Sequence, residues 1–143
     1  MDDESLELIE QEISVFVRRV TLTEKRFGNL ERSAYILLRE LYHHGPIGVK
    51  KLAEQLHLDM STVSRQAAAL VQSQYIEKIP NPNDGRSYFY QITTSGIKEM
   101  EEYRQQRYRY LAYILEDWSA EEQAYFGKLL QKYNAIVHEK TDW

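Results

Sequence analysis

The side chains most suited to chemistry lie on one face of a helix predicted over residues 60–73. A wheel of about 100° per residue separates its apolar side chains from small or hydrogen-bonding ones. The second set contains no acidic residue and comprises Ser61, Thr62, Arg65, Ala68, Ala69 and Gln72. An arginine can donate two hydrogen bonds to guanine, a glutamine can pair with adenine, and small side chains allow close approach. This face is therefore suited to reading base edges in a DNA groove.

A shorter helix, predicted over residues 48–56, precedes this one after a turn of about three residues. This spacing is typical of a helix-turn-helix, in which the second helix enters the DNA major groove. We expect Ala53 at the helix crossing, Leu58 in the core below the turn, and Asp59 as the N-cap of the second helix. The wheel predicts an inward face that consists of Met60, Val63, Ala67, Leu70 and Val71. An alanine-rich outward face with one arginine is also typical of a solvated helix, so both interpretations stay open here.

A predicted hairpin follows the two helices. Strands are indicated over residues 75–80 and 88–93, and the segment between them is rich in turn-forming residues. Such a hairpin forms a wing whose tip can reach the minor groove, where the negative potential attracts arginine. Arg86 is the only basic residue of this loop, and Asp84 can orient its guanidinium through a charge-assisted hydrogen bond. The alternative is that both are ordinary solvated turn residues.

Apolar periodicity predicts four further helices, over residues 5–20, 31–43, about 97–117 and about 120–139. Ser119 and Glu122 have the spacing of a capping box at the last helix, and Thr93 or Thr94 suits the N-cap of the helix before it. The stripes of the first and last helices are too long for a small winged helix to cover. They therefore indicate an interface.

Four segments, residues 58–65, 75–76, 84–86 and 92–96, together resemble the MarR family of bacterial winged helix-turn-helix transcription regulators. The resemblance extends over nearly the whole chain. It implies a recognition helix that bears Ser61, Thr62, Ser64 and Arg65, a wing that bears Asp84 and Arg86, and dimerisation through the first, fifth and sixth helices. Two departures concern the wing: Asn81 stands where many members have an acidic residue, and Gln74 replaces a glycine common before the wing.

Composition limits the alternatives. The absence of cysteine excludes disulfides, thiolate nucleophiles and cysteine-based zinc sites. A net charge of −4 argues against a protein that coats nucleic acid indiscriminately. His57, Asp59 and Ser61 could suggest a hydrolytic trio, but Asp59 is needed as a cap, so we expect no enzyme. The adjacent His43 and His44 point apart on a helix, so we expect no metal and no cofactor.

Tyrosines and arginines alternate in the fifth helix around Arg107 and Tyr108. The resemblance implies an effector pocket where the dimerisation helices meet the winged helix, and aromatic and guanidinium groups suit a flat anionic ligand. Tyrosines of a dimer core, flanked by solvated arginines, are the more favoured interpretation of the same pattern.

The sequence therefore predicts a mainly α winged helix-turn-helix with a two-stranded β-wing and long terminal dimerisation helices. We expect one domain over residues 1–143, with dimerisation helices in 1–26 and 97–143 and a DNA-binding region in 31–95. The predicted function is a cytoplasmic repressor that binds a palindromic operator as a homodimer, with possible release by a small-molecule effector. Its predicted DNA contacts are Ser61, Thr62, Ser64, Arg65, Gln72, Asp84 and Arg86. The alternative is an all-helical protein-interaction module without sequence-specific DNA binding.

Overall fold

Six helices and two hairpins follow one another in the computed structural model, which describes residues 2–22 and 26–141. The helices are α1 Asp3–Leu22, α2 Arg32–His44, α3 Val49–Leu56, α4 Met60–Gln72, α5 Thr94–Ile114 and α6 Ala120–Thr141. The strands are β1 Arg26–Phe27, β2 Leu30–Glu31, β3 Ile76–Asn81 and β4 Asp84–Ile92, paired antiparallel as β1–β2 and β3–β4. The predicted mainly α winged helix-turn-helix fold is confirmed.

The core lies at the centre of the winged helix-turn-helix. The second helix contributes three leucines to it, and α3, α4, the wing and the first half of α5 each add buried side chains. Its buried residues are Leu30, Leu37, Leu38, Leu41, Ile47, Leu52, Ala53, Val63, Ala67, Leu70, Ile76, Tyr90, Met100 and Tyr103. The buried Ala53 on α3, which packs on α4, agrees with the expectation of a small residue at their crossing. The core thus fixes α4 against α2, α3 and β3.

The predicted helix caps are present. The Thr93 side chain accepts a hydrogen bond from the Gly96 amide at 3.0 Å, so Thr93 rather than Thr94 is the N-cap of α5. In the capping box, the Ser119 amide donates to Glu122 Oε1 at 2.9 Å, and the Glu122 amide donates to Ser119 Oγ at 3.0 Å. These bonds join residues three apart, which is why local spacing predicted them.

Several sequence predictions need correction. The hairpin β1–β2 was not predicted, because two-residue strands carry no periodicity. The fifth helix spans Thr94–Ile114 rather than 97–117, and β4 begins at Asp84 rather than at 88, so the segment that carries Arg86 is strand and not loop. Leu58 and Met60, expected in the core, are 42% and 48% exposed. Both lie at the end of the core, where nothing in the described chain covers them.

The junction between α4 and the wing is tightly built. Gln74 has a φ of 67°, a left-handed conformation that glycine adopts most easily. This is the position at which a glycine is common in the family that the sequence resembles. At the base of the wing, Ile47 forms an antiparallel bridge with Tyr90. Gly96 packs directly on the Tyr75 carbonyl. Together these contacts set the direction in which the wing leaves the core.

The terminal helices α1 and α6 contain no buried residue. Their apolar side chains are exposed, among them Leu6, Ile9, Phe16, Val17, Tyr125, Leu129, Leu130 and Tyr133. Residues 1, 23–25, 142 and 143 of the predicted dimerisation regions lie outside the described residues. In the part of the chain that the structure describes, no helix combines the length and the apolar character needed to cross a membrane.

Candidate nucleic-acid interface

The helix α4 has one buried face and one exposed face. Val63, Ala67 and Leu70 are buried against the core, which leaves the opposite side of the helix in solvent. The predicted groove-reading side chains lie there: Ser61, Ser64, Arg65 and Gln72 are exposed, and Thr62 is half-buried. Ala68 and Ala69 are exposed between them, so little side-chain bulk stands between the helix backbone and an incoming surface. The structure therefore brings the five predicted residues of α4 to one face.

Asp59 fixes the first turn of this helix. Its Oδ1 accepts hydrogen bonds from the Thr62 amide at 2.7 Å and from the Ser61 hydroxyl at 2.6 Å. The bond from the Ser61 side chain, followed by the bond from the Thr62 amide, lowers the pKa of Asp59 to about 2. A carboxylate with this pKa stays ionised near neutral pH and is a weak base. This geometry supports a capping role rather than a hydrolytic one.

The wing presents Asp84 and Arg86 together. The Arg86 amide and Nε donate to Asp84 Oδ1 at 3.0 and 3.3 Å. The Arg86 side chain is 94% exposed, so the carboxylate orients it without burying it. Asn81 turns the tip by accepting from the Asn83 amide at 2.9 Å and donating to Ser87 Oγ at 3.1 Å. The predicted orientation of the guanidinium by Asp84 is present, with Arg86 projecting from the wing.

A separate cavity of about 350 Å³ lies between α2 and α5. It is lined by Tyr35, Arg39, Tyr42, His43, Met100, Glu101, Arg104 and Tyr108. Arg104 donates to Glu101 Oε2 and to the Tyr108 hydroxyl, and these contacts raise its pKa further above the ordinary arginine value. Arg107, which the sequence pattern pairs with Tyr108, does not line this cavity. Its guanidinium instead lies 5.4 Å from the ring centroids of Phe27 and Tyr110.

Sequence reasoning missed a pair of lysines beside the helix-turn-helix. Lys50 and Lys51 are exposed in the first turn of α3 and line an open groove with Phe89 of the wing. The first helix of a helix-turn-helix crosses the DNA backbone, so two adjacent lysines at its start were a usable signal. Within residues 2–22 and 26–141, no group of three or more His, Asp or Glu side chains could hold a metal ion.

The chain is similar to proteins that are described as transcriptional regulators. The sequence model of the MarR family matches residues 30–88. YxaD of Bacillus subtilis (strain 168), a protein described as an HTH-type transcriptional regulator, is 46% identical over 132 residues. That match covers 90% of this chain and 92% of YxaD.

Two solved structures are similar in fold. A MarR family protein from Bacillus stearothermophilus has a TM-score of 0.80 at 19% identity, with 96% of this chain and 98% of that chain covered. A mutant MarR from E. coli, complexed with operator DNA, has a TM-score of 0.59 at 25% identity, with 73% of this chain and 76% of that chain covered. The second similarity is thus to a protein seen on DNA.

Proposed function

The chain belongs to the MarR family of transcriptional regulators, and from this premise we propose that it binds a specific operator through α4 and the wing. One observation carries the proposal. The solvent face of α4 has no acidic side chain, and along the helix the small Ala68 and Ala69 lie between Arg65 and Gln72. Such a face can approach base edges and donate hydrogen bonds to them. A DNA target implies action in the cytoplasm.

In this proposal the residues divide by role. Arg65 and Gln72 contact base edges, while Ser61, Thr62 and Ser64 lie in the first turns of α4, where amides and hydroxyls suit phosphates. Arg86, held by Asp84, approaches the minor groove from the wing. Lys50 and Lys51 add phosphate contacts from α3. The net charge of −4 makes these local donors important, because the whole chain does not attract DNA.

We further propose that the active form is a homodimer on a palindromic operator. The support is the row of exposed apolar side chains on α1 and α6, which is larger than a monomer normally leaves in water. In this arrangement residues 1–26 and 97–143 supply the dimer contacts and 31–95 the DNA contacts. A two-fold dimer places two copies of α4 about one helical turn apart, so the operator has two inverted half-sites.

Repression follows from occlusion, because a dimer on promoter DNA excludes polymerase.

The cavity between α2 and α5 supports release by a small anionic ligand. Arg39 and Arg104 line it beside Tyr35 and Tyr108, a combination that suits an aromatic acid. A carboxylate there would compete with Glu101 for Arg104. Binding there favours dissociation only if the ligand prefers the conformation that does not bind DNA.

The test is selection of duplexes from a random library by the full chain, followed by titration over a salt series. We expect an inverted-repeat sequence that binds at least about 1,000-fold more tightly than a scrambled duplex. Equal affinity for both duplexes at every salt concentration would contradict the proposal and favour a protein-interaction module. Addition of aromatic acids to the formed complex tests the effector site, with Arg104→Gln as the variant that should lose the response.

A further inference from the structure

Met60 is the one residue of α4 whose exposure conflicts with its position on the wheel. It lies near the apolar side of the helix, yet its side chain is 48% exposed, whereas Val63 and Ala67 of the same side are buried. The difference arises because the core ends at Val63, so the first residue of α4 extends past it. An apolar thioether side chain therefore stands in solvent at the leading end of the helix that faces DNA in the proposed function.

The surroundings of Met60 suit an incoming base pair. Ser64 lies one helical turn after Met60 on the same side of α4, and its side chain is small and exposed. Asp59, the nearest carboxylate in sequence, already accepts bonds from the Ser61 hydroxyl and the Thr62 amide. Those bonds fix the helix start, so the Met60 backbone is held in place while its side chain is free to pack. The first turn of a recognition helix enters the major groove, so the longer Met60 side chain can reach a base edge while the hydroxyl groups around it contact the flanking phosphates.

We infer that Met60 is a specificity-determining residue that packs against the C5 methyl group of one thymine in each half-site. The inference rests on the proposed DNA-binding function and deepens it. In the major groove, thymine alone presents a methyl group, and apolar side chains contact it there. Met60 supplies the matching apolar surface, and Arg65, about one and a half turns further along α4, supplies hydrogen-bond donors. The pair would read two kinds of base edge from one helix.

The test removes the methyl group from the DNA rather than from the protein. Each thymine of the selected operator is replaced in turn by uracil, symmetrically in both half-sites, and affinity is measured for the full chain. We expect one position at which wild-type affinity falls about fourfold per half-site, the effect of losing one buried methyl group. Met60→Ala should bind more weakly than wild type and should show no uracil effect at that position. Met60→Leu should retain the effect.

Leu58→Ala is the matched control, because Leu58 is 42% exposed in the adjoining turn but precedes the helix. It should leave the uracil effect unchanged. Two results would overturn the inference and leave the proposed function intact. One is tight operator binding with no uracil effect at any thymine, and the other is a uracil effect that persists in Met60→Ala. Failure to select any preferred duplex would overturn both. Thermal melting of each variant checks that the exposed substitutions leave the fold unchanged.

Discussion

Substitution of Gly96 by alanine tests how tightly the wing is joined to α5. A Cβ atom at Gly96 would lie 2.1 Å from the Tyr75 carbonyl oxygen and 2.9 Å from Ile92 Cγ1. The first neighbour is backbone, and it is held on both sides: the Tyr75 amide donates to Leu70 O, and the Thr93 amide donates to Tyr75 O, each at 3.0 Å. The strand base therefore has to move as a unit, and a hydrogen bond that closes the junction is broken or stretched.

The expected size of the effect follows from three contributions. Overpacking destabilises the fold by about 1–3 kcal/mol, and the weakened hydrogen bond destabilises it by about 1 kcal/mol. Alanine in place of glycine in a helix stabilises it by about 1 kcal/mol. The net loss is about 1–3 kcal/mol in the free energy of unfolding. For a chain of this length, that corresponds to a fall in Tm of roughly 3–12 °C.

Urea and thermal denaturation at one fixed protein concentration, followed by circular dichroism, measure this loss. Gly85→Ala is the control, since a Cβ atom there meets nothing within 4 Å, and its stability should stay within about 0.5 kcal/mol of wild type. A Gly96→Ala protein as stable as wild type would refute the reasoning, because the junction would then be free to open. A loss of equal size in Gly85→Ala would refute it too, since the loss of stability would then not depend on a steric clash.

Three other predictions concern the cap, the dimer and the wing. Because the pKa of Asp59 is lowered from 3.8 to about 2 on folding, its ionised form stabilises the protein above about pH 4 and this contribution is lost as the pH falls toward 2. Asp59→Ala should lower Tm at pH 6 and should reduce the fall of Tm between pH 4 and 2. The same dependence of Tm on pH in the variant and in wild type would contradict this. Deletion of residues 125–143 should give a monomer or aggregates by sedimentation, with weak operator binding, whereas a tight-binding monomer would refute the dimer assignment. Arg86→Ala should weaken binding to operator and scrambled DNA alike. It should also reduce the slope of log affinity against log salt concentration by about one for each phosphate that Arg86 neutralises. Weaker binding to the operator alone would instead show that the wing reads bases.

The parts of the fold that sequence predicted best are those fixed by neighbours in the chain. The caps at Asp59, Thr93 and Ser119 depend on hydrogen bonds between residues three or fewer apart, so local spacing determines them. The buried face of α4 follows from helical periodicity in the same way. The exposed face follows by exclusion, which is why all five predicted groove residues lie together.

The errors arise where distant packing decides. A helical wheel assumes that the core covers the whole inner face, and it therefore placed Met60 in the interior, although the core reaches only Val63 at this end of α4. The sequence pattern also led to Arg107 and Tyr108 as effector-binding residues, whereas Arg104, three residues earlier on α5, is the arginine that lines the cavity with Tyr108. The packing of α5 on α2 decides that Arg104 lines the cavity and that Arg107 turns toward Phe27.

The most direct test of sequence reading by α4 is the affinity of Arg65→Ala for the selected operator and for a scrambled duplex, over a salt series. Arg109→Ala, which removes the same charge from an exposed position on α5 outside the proposed DNA contacts, is the control, and sedimentation checks that this variant remains a dimer. We expect Arg65→Ala to lose about 1–3 kcal/mol of binding free energy on the operator, to relax the preference at one position per half-site, and to change little on the scrambled duplex. Equal losses on both duplexes would show that Arg65 contacts only phosphate, and no loss on either would show that α4 does not face DNA.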